Sequence, residues 1–219
     1  MSGQGSHLLS ASEYLLLMDD VAPLKRIGIT FQPDALYLLN SQSPKLINQC
    51  GWYDWLTLRF DPSFQASLLH CDSQQEIVNG LEKHLKCLEL SYKQDKAHSA
   101  VSKALAIITH LLNYDQANEL DIEQLAQECH STRRTLERYF RQVVGLSIKQ
   151  YQLMLKLEQM VLALYQESGP VDWAAFSQRF GFSDQSHLIR QLKQQIKRTP
   201  NRYLNQRDLT IDIYGDFET

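Results

Sequence analysis

Apolar positions recur in two different rhythms along this chain. In the first hundred residues they form short clusters, Glu13–Asp19 and Lys25–Phe31, rich in β-formers and bounded by Asp and Pro, which predict two strands. Pro33–Leu39, with a proline start and a closing Asn40, predicts a short helix. Two strands alone make no stable sheet, so this part either recruits strands elsewhere or is the remnant of a larger β-fold. From Ser73 the rhythm turns helical. Ile77, Leu81, Leu85 and Leu88 follow a Ser73 cap with Glu76 in the capping-box position, predicting one helix over 74–92. Polar Tyr92–His98 reads as a linker, after which Val101, Leu105, Ile108 and Leu112 resume the stripe.

Beyond residue 120 the helical segments are short and punctuated. Asp121 caps a helix through Glu128, Ser131 or Thr132 caps the next through Val144, and Gly145 stops it. Ser147 opens a long helix whose apolar positions Tyr151, Met154, Leu155, Leu157, Val161, Leu162 and Leu164 cover much of its circumference, so it must pack on several sides. Gly169-Pro170 breaks it, 172–180 forms another short helix, Gly181 turns, Asp184 caps 185–197, and Thr199-Pro200 opens a last helix through Leu204. The C-terminal half thus reads as seven helices. Within it lies a loose repeat. Asp121–Ala126 and Asp172–Phe176 are acidic-capped first helices, and Leu136/Phe140 match Leu188/Leu192 as buried i,i+4 pairs of second helices. Each unit reads as a helix-turn-helix, although an ordinary helical bundle uses the same caps and stripes. Short first helices, tight turns and Arg clustered at one helix start favour the former.

Charge divides the chain at the same place. Residues 121–207 hold 13 Lys and Arg against 8 Asp and Glu, a net +5; the whole chain is −3, which leaves −8 elsewhere. A basic face neutralises phosphates, whereas the acidic remainder is repelled by them. No run of 18 or more apolar residues occurs, so no transmembrane helix is expected. The start, Met1–His7, lacks the charged and apolar regions of a secretory signal and reads as a flexible leader, which predicts a cytoplasmic protein with no membrane partner. Cys50, Cys71, Cys87 and Cys129 have no paired spacing. His84 with Cys87, and His70 with Cys71, are the only hints of a metal site; without a CxxC pair, buried reduced thiols are the stronger reading, and no metal or cofactor is expected. No nucleophile elbow or phosphate loop appears, which argues against an enzyme.

Taken together, Leu125-Ala126, Ser131–Phe140 with Leu136, Arg138 and Phe140, Gly145-Leu-Ser147, Gly181-Phe-Ser-Asp-Gln-Ser-His187, Thr199-Pro200 and Tyr203 resemble the AraC/XylS family of bacterial transcription regulators. The resemblance covers about 99–207. It implies a mainly α chain with a small α+β N-terminal part, and a seven-helix, homeodomain-like double helix-turn-helix whose two recognition helices enter successive major grooves of double-stranded DNA. The implied organisation is a regulatory or sensor-like 1–95, a DNA-binding 96–207 and an acidic tail 208–219. Carried over position by position, Arg134, Arg138, Gln185, Ser186 and Arg190 are the base-reading candidates, since Arg suits guanine and Gln suits adenine. Thr132, Arg133, Ser147, His187, Lys197 and Arg198 are the phosphate or flanking candidates. A solvated charged face, and caps at Gln185 and Ser186, are the plainer readings of the same residues.

Two positions depart from the family: Lys197-Arg198 replace a glycine and an apolar residue, and Leu188 and Leu192 stand where aromatics are common. Arg26–Pro33 and Leu46–Cys50 resemble the end of a sensor domain that normally follows a β-barrel, so either the sequence begins part-way into such a domain or ligand sensing is reduced. RNA polymerase is an implied partner; a small-molecule effector at the N-terminal part and a homodimer are open. Tyr14, Tyr37, Trp52, Tyr53 and Trp55 are read as core aromatics. The tail, Asp208–Thr219, is a strand, an acidic flap or disordered. The competing function is a ligand- or protein-binding interaction module without sequence-specific DNA binding, its basic helices docking an acidic partner.

Overall fold

The computed structural model describes residues 8–9, 27–40, 50–51, 60–87, 95–114, 120–166 and 170–196. Leu8–Leu9 (β1) pairs antiparallel with Cys50–Gly51 (β2), Leu8 opposite Gly51 and Leu9 opposite Cys50. Between them stands α1, Ala35–Asn40. The expected strand at 13–19 lies outside the described residues. That at 25–31 is corrected: 27–32 is irregular, with Ile29 37% exposed. An apolar run becomes a strand only where a neighbour takes its backbone hydrogen bonds. Two helices follow, α2 (Pro62–Leu69) and α3 (Gln74–Cys87). The sequence reading missed α2, although Asp61-Pro62 signals it: Asp61 Oδ1 accepts from the amides of Ser63 (2.8 Å) and Phe64 (3.0 Å), and proline takes the first helical position. α3 starts as predicted, with Ser73 Oγ accepting from Glu76 N at 3.2 Å. Glu76, however, reaches the amide of Asp72 rather than that of Ser73.

α4 runs from Lys96 to Tyr114. Its start corrects the linker expected at 92–98, because Asp95 Oδ1 accepts from His98 N at 2.9 Å and makes 95–98 a capped helix start. Then come α5 (Ile122–Glu128), α6 (Arg133–Val143), α7 (Ile148–Gln166), α8 (Trp173–Arg179) and α9 (Gln185–Ile196). The helix expected at 199–204, the seventh of that half, lies outside the described residues, as does the acidic tail.

Two apolar cores result among the described residues. The first joins Val101, Ala104, Leu105 and Ile108 of α4 to Ile122, Leu125 and Ala126 of α5, Leu136, Phe140 and Val143 of α6, and Ile148 and Tyr151 at the start of α7. The second joins Leu157, Met160, Ala163 and Leu164, further along α7, to Phe176, Phe180, Leu188 and Leu192. α7 therefore packs on several sides because it serves both cores in turn. Met160, absent from the apolar positions singled out in the sequence, is fully buried, while Leu162 is 38% exposed. Burying a side chain of the size of Leu, Met or Phe stabilises by roughly 1.5–3 kcal/mol, so each core outweighs the local propensities of its short helices.

α1 belongs to the first core as well. Tyr37 is buried there; its hydroxyl donates to Asp95 Oδ2 (2.8 Å) and accepts from Gln142 Nε2 of α6 (3.0 Å). Asp34 and His98 meet alongside at 3.0 Å. The division expected at residue 95 is thus crossed by packing and hydrogen bonds.

Candidate DNA-binding surface

Each helix-turn-helix corner is made by backbone geometry that sequence supplies in two ways. After α5, His130 takes φ 51° and Ser131 N donates to Ala126 O at 2.9 Å; after α8, Gly181 takes φ 64° and Phe182 N donates to Ser177 O at 2.9 Å. The left-handed residue reverses the chain and satisfies a carbonyl at the helix end. Glycine adopts that conformation freely, and His130 does so against its side chain. The second turn carries one extra residue, so Asp184 occupies the place of Thr132.

These two residues cap the second helices. Thr132 Oγ1 accepts from Thr135 N (3.3 Å), Asp184 Oδ1 from His187 N (2.7 Å). The His187 amide, with the Ser183 hydroxyl, holds the Asp184 carboxyl below its usual 3.8. From the caps onward the helices are in step: Leu136 and Phe140 point into the first core, Leu188 and Leu192 into the second.

Opposite those apolar pairs lie matched outward rows. Arg134, Arg138 and Arg141 fall within one face of α6, all exposed, beside an open trough of about 520 Å³ that Thr135 and Glu137 also line. Ser186, Arg190 and Lys193 occupy the equivalent exposed positions of α9, with Gln185 exposed at its first residue. Five base-reading candidates therefore stand on the two exposed helix faces. Arg141 and Lys193 were not singled out from sequence, yet each follows an Arg by three residues, which on a helix is the same face.

The flanking candidates divide. Thr132 and Ser147 spend their hydroxyls on helix starts, Ser147 Oγ accepting from Gln150 N at 3.2 Å while Gln150 Oε1 accepts from Ser147 N at 2.9 Å. His187 is half-buried, its Nδ1 3.1 Å from Ser183 Oγ and its ring edge-on to Phe182 at 5.4 Å. Lys156 of α7 lies over the same Phe182 ring, 4.9 Å from its centroid. Arg133 Nε donates to Glu137 Oε1 (3.2 Å) and its Nη1 to Glu123 Oε1 (3.4 Å), both carboxylates favouring the charged guanidinium. Lys197 and Arg198 lie outside the described residues. His84, weighed for metal, stacks on Phe64 at 3.7 Å, and the described residues contain no group of three metal-ligating side chains. No helix among them is long and apolar enough to cross a membrane.

A family model described as a helix-turn-helix domain matches residues 125–206. This segment is an AraC-type helix-turn-helix domain. The AraC-type domain takes in most of α5, all of α6 to α9 and the two turns, and such domains belong to DNA-binding transcription regulators. No curated protein matches the chain. Among solved structures, it is similar to the DNA-binding domain of AdpA, a global transcriptional factor solved with a target DNA, at 23% identity and a TM-score of 0.39, over 51% of this chain and 92% of that one. It is also similar to ToxT from Vibrio cholerae, at 15% identity and a TM-score of 0.45, over 66% of this chain and 55% of ToxT. The chain thus spans little more than half the length of ToxT.

Proposed function

We propose that the chain is a sequence-specific transcription regulator that reads two adjacent major-groove segments of one DNA face with α6 and α9. The carrying observation is the pair of matched outward rows, each opposite a buried i,i+4 pair and each mounted on its own core along one shared helix. Grooves on one face recur about 34 Å apart, and α7, with 19 residues, has a length of about 28 Å. The spacer and the groove repeat agree in scale.

In this reading Arg134, Arg138 and Arg190 hydrogen-bond guanine edges, and Gln185 an adenine edge. Ser186 approaches a base with little discrimination. Arg141 and Lys193, one turn further along the same faces, meet phosphates or the adjoining base pair, while the amides at the starts of α6 and α9 set the register on the backbone. Arg133 reaches a phosphate only by leaving Glu123 and Glu137. The test is selection of bound duplexes from a random pool at near-physiological salt. The expected result is an enriched motif of two blocks about one helical turn apart. Absence of any enrichment overturns the reading and favours an acidic protein partner for the same basic faces.

A further inference from the structure

The first residue of a recognition helix is where a cation meets phosphate most readily, because the helix start is itself positive and its amides point outward. In α6 that residue is Arg133, and its guanidinium is turned onto two carboxylates: Glu137, one turn along α6, and Glu123, on α5 across the corner. The neighbouring cations differ. Arg134 and Arg141 have no carboxylate within ion-pair distance among the described residues, and Arg138 lies over its neighbour Tyr139 at 5.0 Å. The second unit has no such arrangement, since Gln185, Ala174 and Ile189 stand where the first has Arg133, Glu123 and Glu137.

We infer that Glu123 and Glu137 are positioning residues, which withhold Arg133 from the phosphate backbone and so leave the basic row Arg134, Arg138 and Arg141 to set the affinity and salt dependence of the first helix. Phosphate contacts act on every sequence alike and contribute nothing to discrimination. A guanidinium engaged by two side chains of its own chain would have to exchange them for a phosphate, and the exchange yields less than capture by a free one. Binding to every sequence is thereby reduced by one phosphate contact, while Arg134 and Arg141 have no carboxylate partner among the described residues.

The inference rests on the DNA-reading function proposed above, and the test separates the two. Binding of the full chain to its selected duplex and to a scrambled duplex of equal length is measured against salt, for wild type, Glu123→Gln/Glu137→Gln, Arg133→Ala and the triple variant. The double variant is expected to steepen the salt slope on the scrambled duplex by about 0.9, an extra loss of about 3.5-fold between roughly 50 and 200 mM salt. The slope on the selected duplex is expected to steepen by the same amount, with the ratio of the two affinities unchanged. Arg133→Ala alone is expected to leave the slope unchanged, and in the triple variant to restore the wild-type slope. A double variant with an unchanged slope overturns the inference. So does a steeper slope that survives Arg133→Ala, because the gain would then come from deleting negative charge and not from releasing Arg133. A wild type that prefers no duplex overturns the DNA-reading function itself.

Discussion

The two helix-turn-helix units present the same outward pattern on unequal supports. The recognition helix of the first, α6, is backed by α4 as well as by α5 and α7, and is tied through Gln142 to the buried Tyr37 of the N-terminal part. Among the described residues, α9 of the second unit is backed by α8 and the distal part of α7. What the comparison teaches is that a reading face is defined by the register of a few buried apolar residues, whereas the rigidity behind it is set by how many helices enclose them.

The largest effects should come from the paired core leucines. Leu136→Ala and Leu188→Ala each empty a fully buried position and are expected to cost roughly 2–5 kcal/mol, Leu136 toward the upper end because three enclosing helices collapse less readily than two. Urea unfolding of both variants checks the order, and equal losses would remove the claim of unequal support. Next comes one outward arginine from each recognition helix. Arg134→Ala and Arg190→Ala are each expected to lose roughly 1–3 kcal/mol of binding to the selected duplex and to relax preference in one block only. Equal loss on scrambled DNA would reduce both to phosphate contacts.

Smaller effects should separate the two turns. Gly181→Ala places a Cβ at φ 64° and is expected to destabilise by about 1 kcal/mol. His130→Gly relieves the same conformation at φ 51°, with an expected gain of up to about 1 kcal/mol in thermal unfolding. The least effect is acid sensitivity. The Asp184 carboxyl is lowered in the folded chain, so its contribution is fully present above the unfolded value of 3.8 and is lost as pH falls through the lower folded value. Thr132, the equivalent cap, does not titrate. Acidification below about pH 4 should therefore lower the hydrogen-exchange protection of the His187 amide, relative to its intrinsic rate, more than that of the Thr135 amide, and Asp184→Asn should abolish that difference.

The caps were the most legible part of the sequence, because a cap is a local hydrogen bond between residues two or three apart. Asp121, Thr132, Asp172 and Asp184 all accept the amides that their spacing implied. Legibility failed where local pattern competed with something distant. The apolar residues of 27–31 suit a strand but have no described partner, and the polar Asp95–His98 suits a linker but starts a helix under which Tyr37 is buried.

By itself the sequence determined the two corners, the capped starts of α6 and α9 and the i,i+4 apolar pairs, and therefore which face of each helix turns outward. All of these follow from helical period and short-range hydrogen bonding. Tertiary structure alone decided that α7 divides its apolar residues between two cores, that Tyr37 reaches the recognition helix, and that Arg133 is turned onto Glu123 across the corner. Those contacts join residues on different elements, and their partners are chosen by how helices pack, which no local period records.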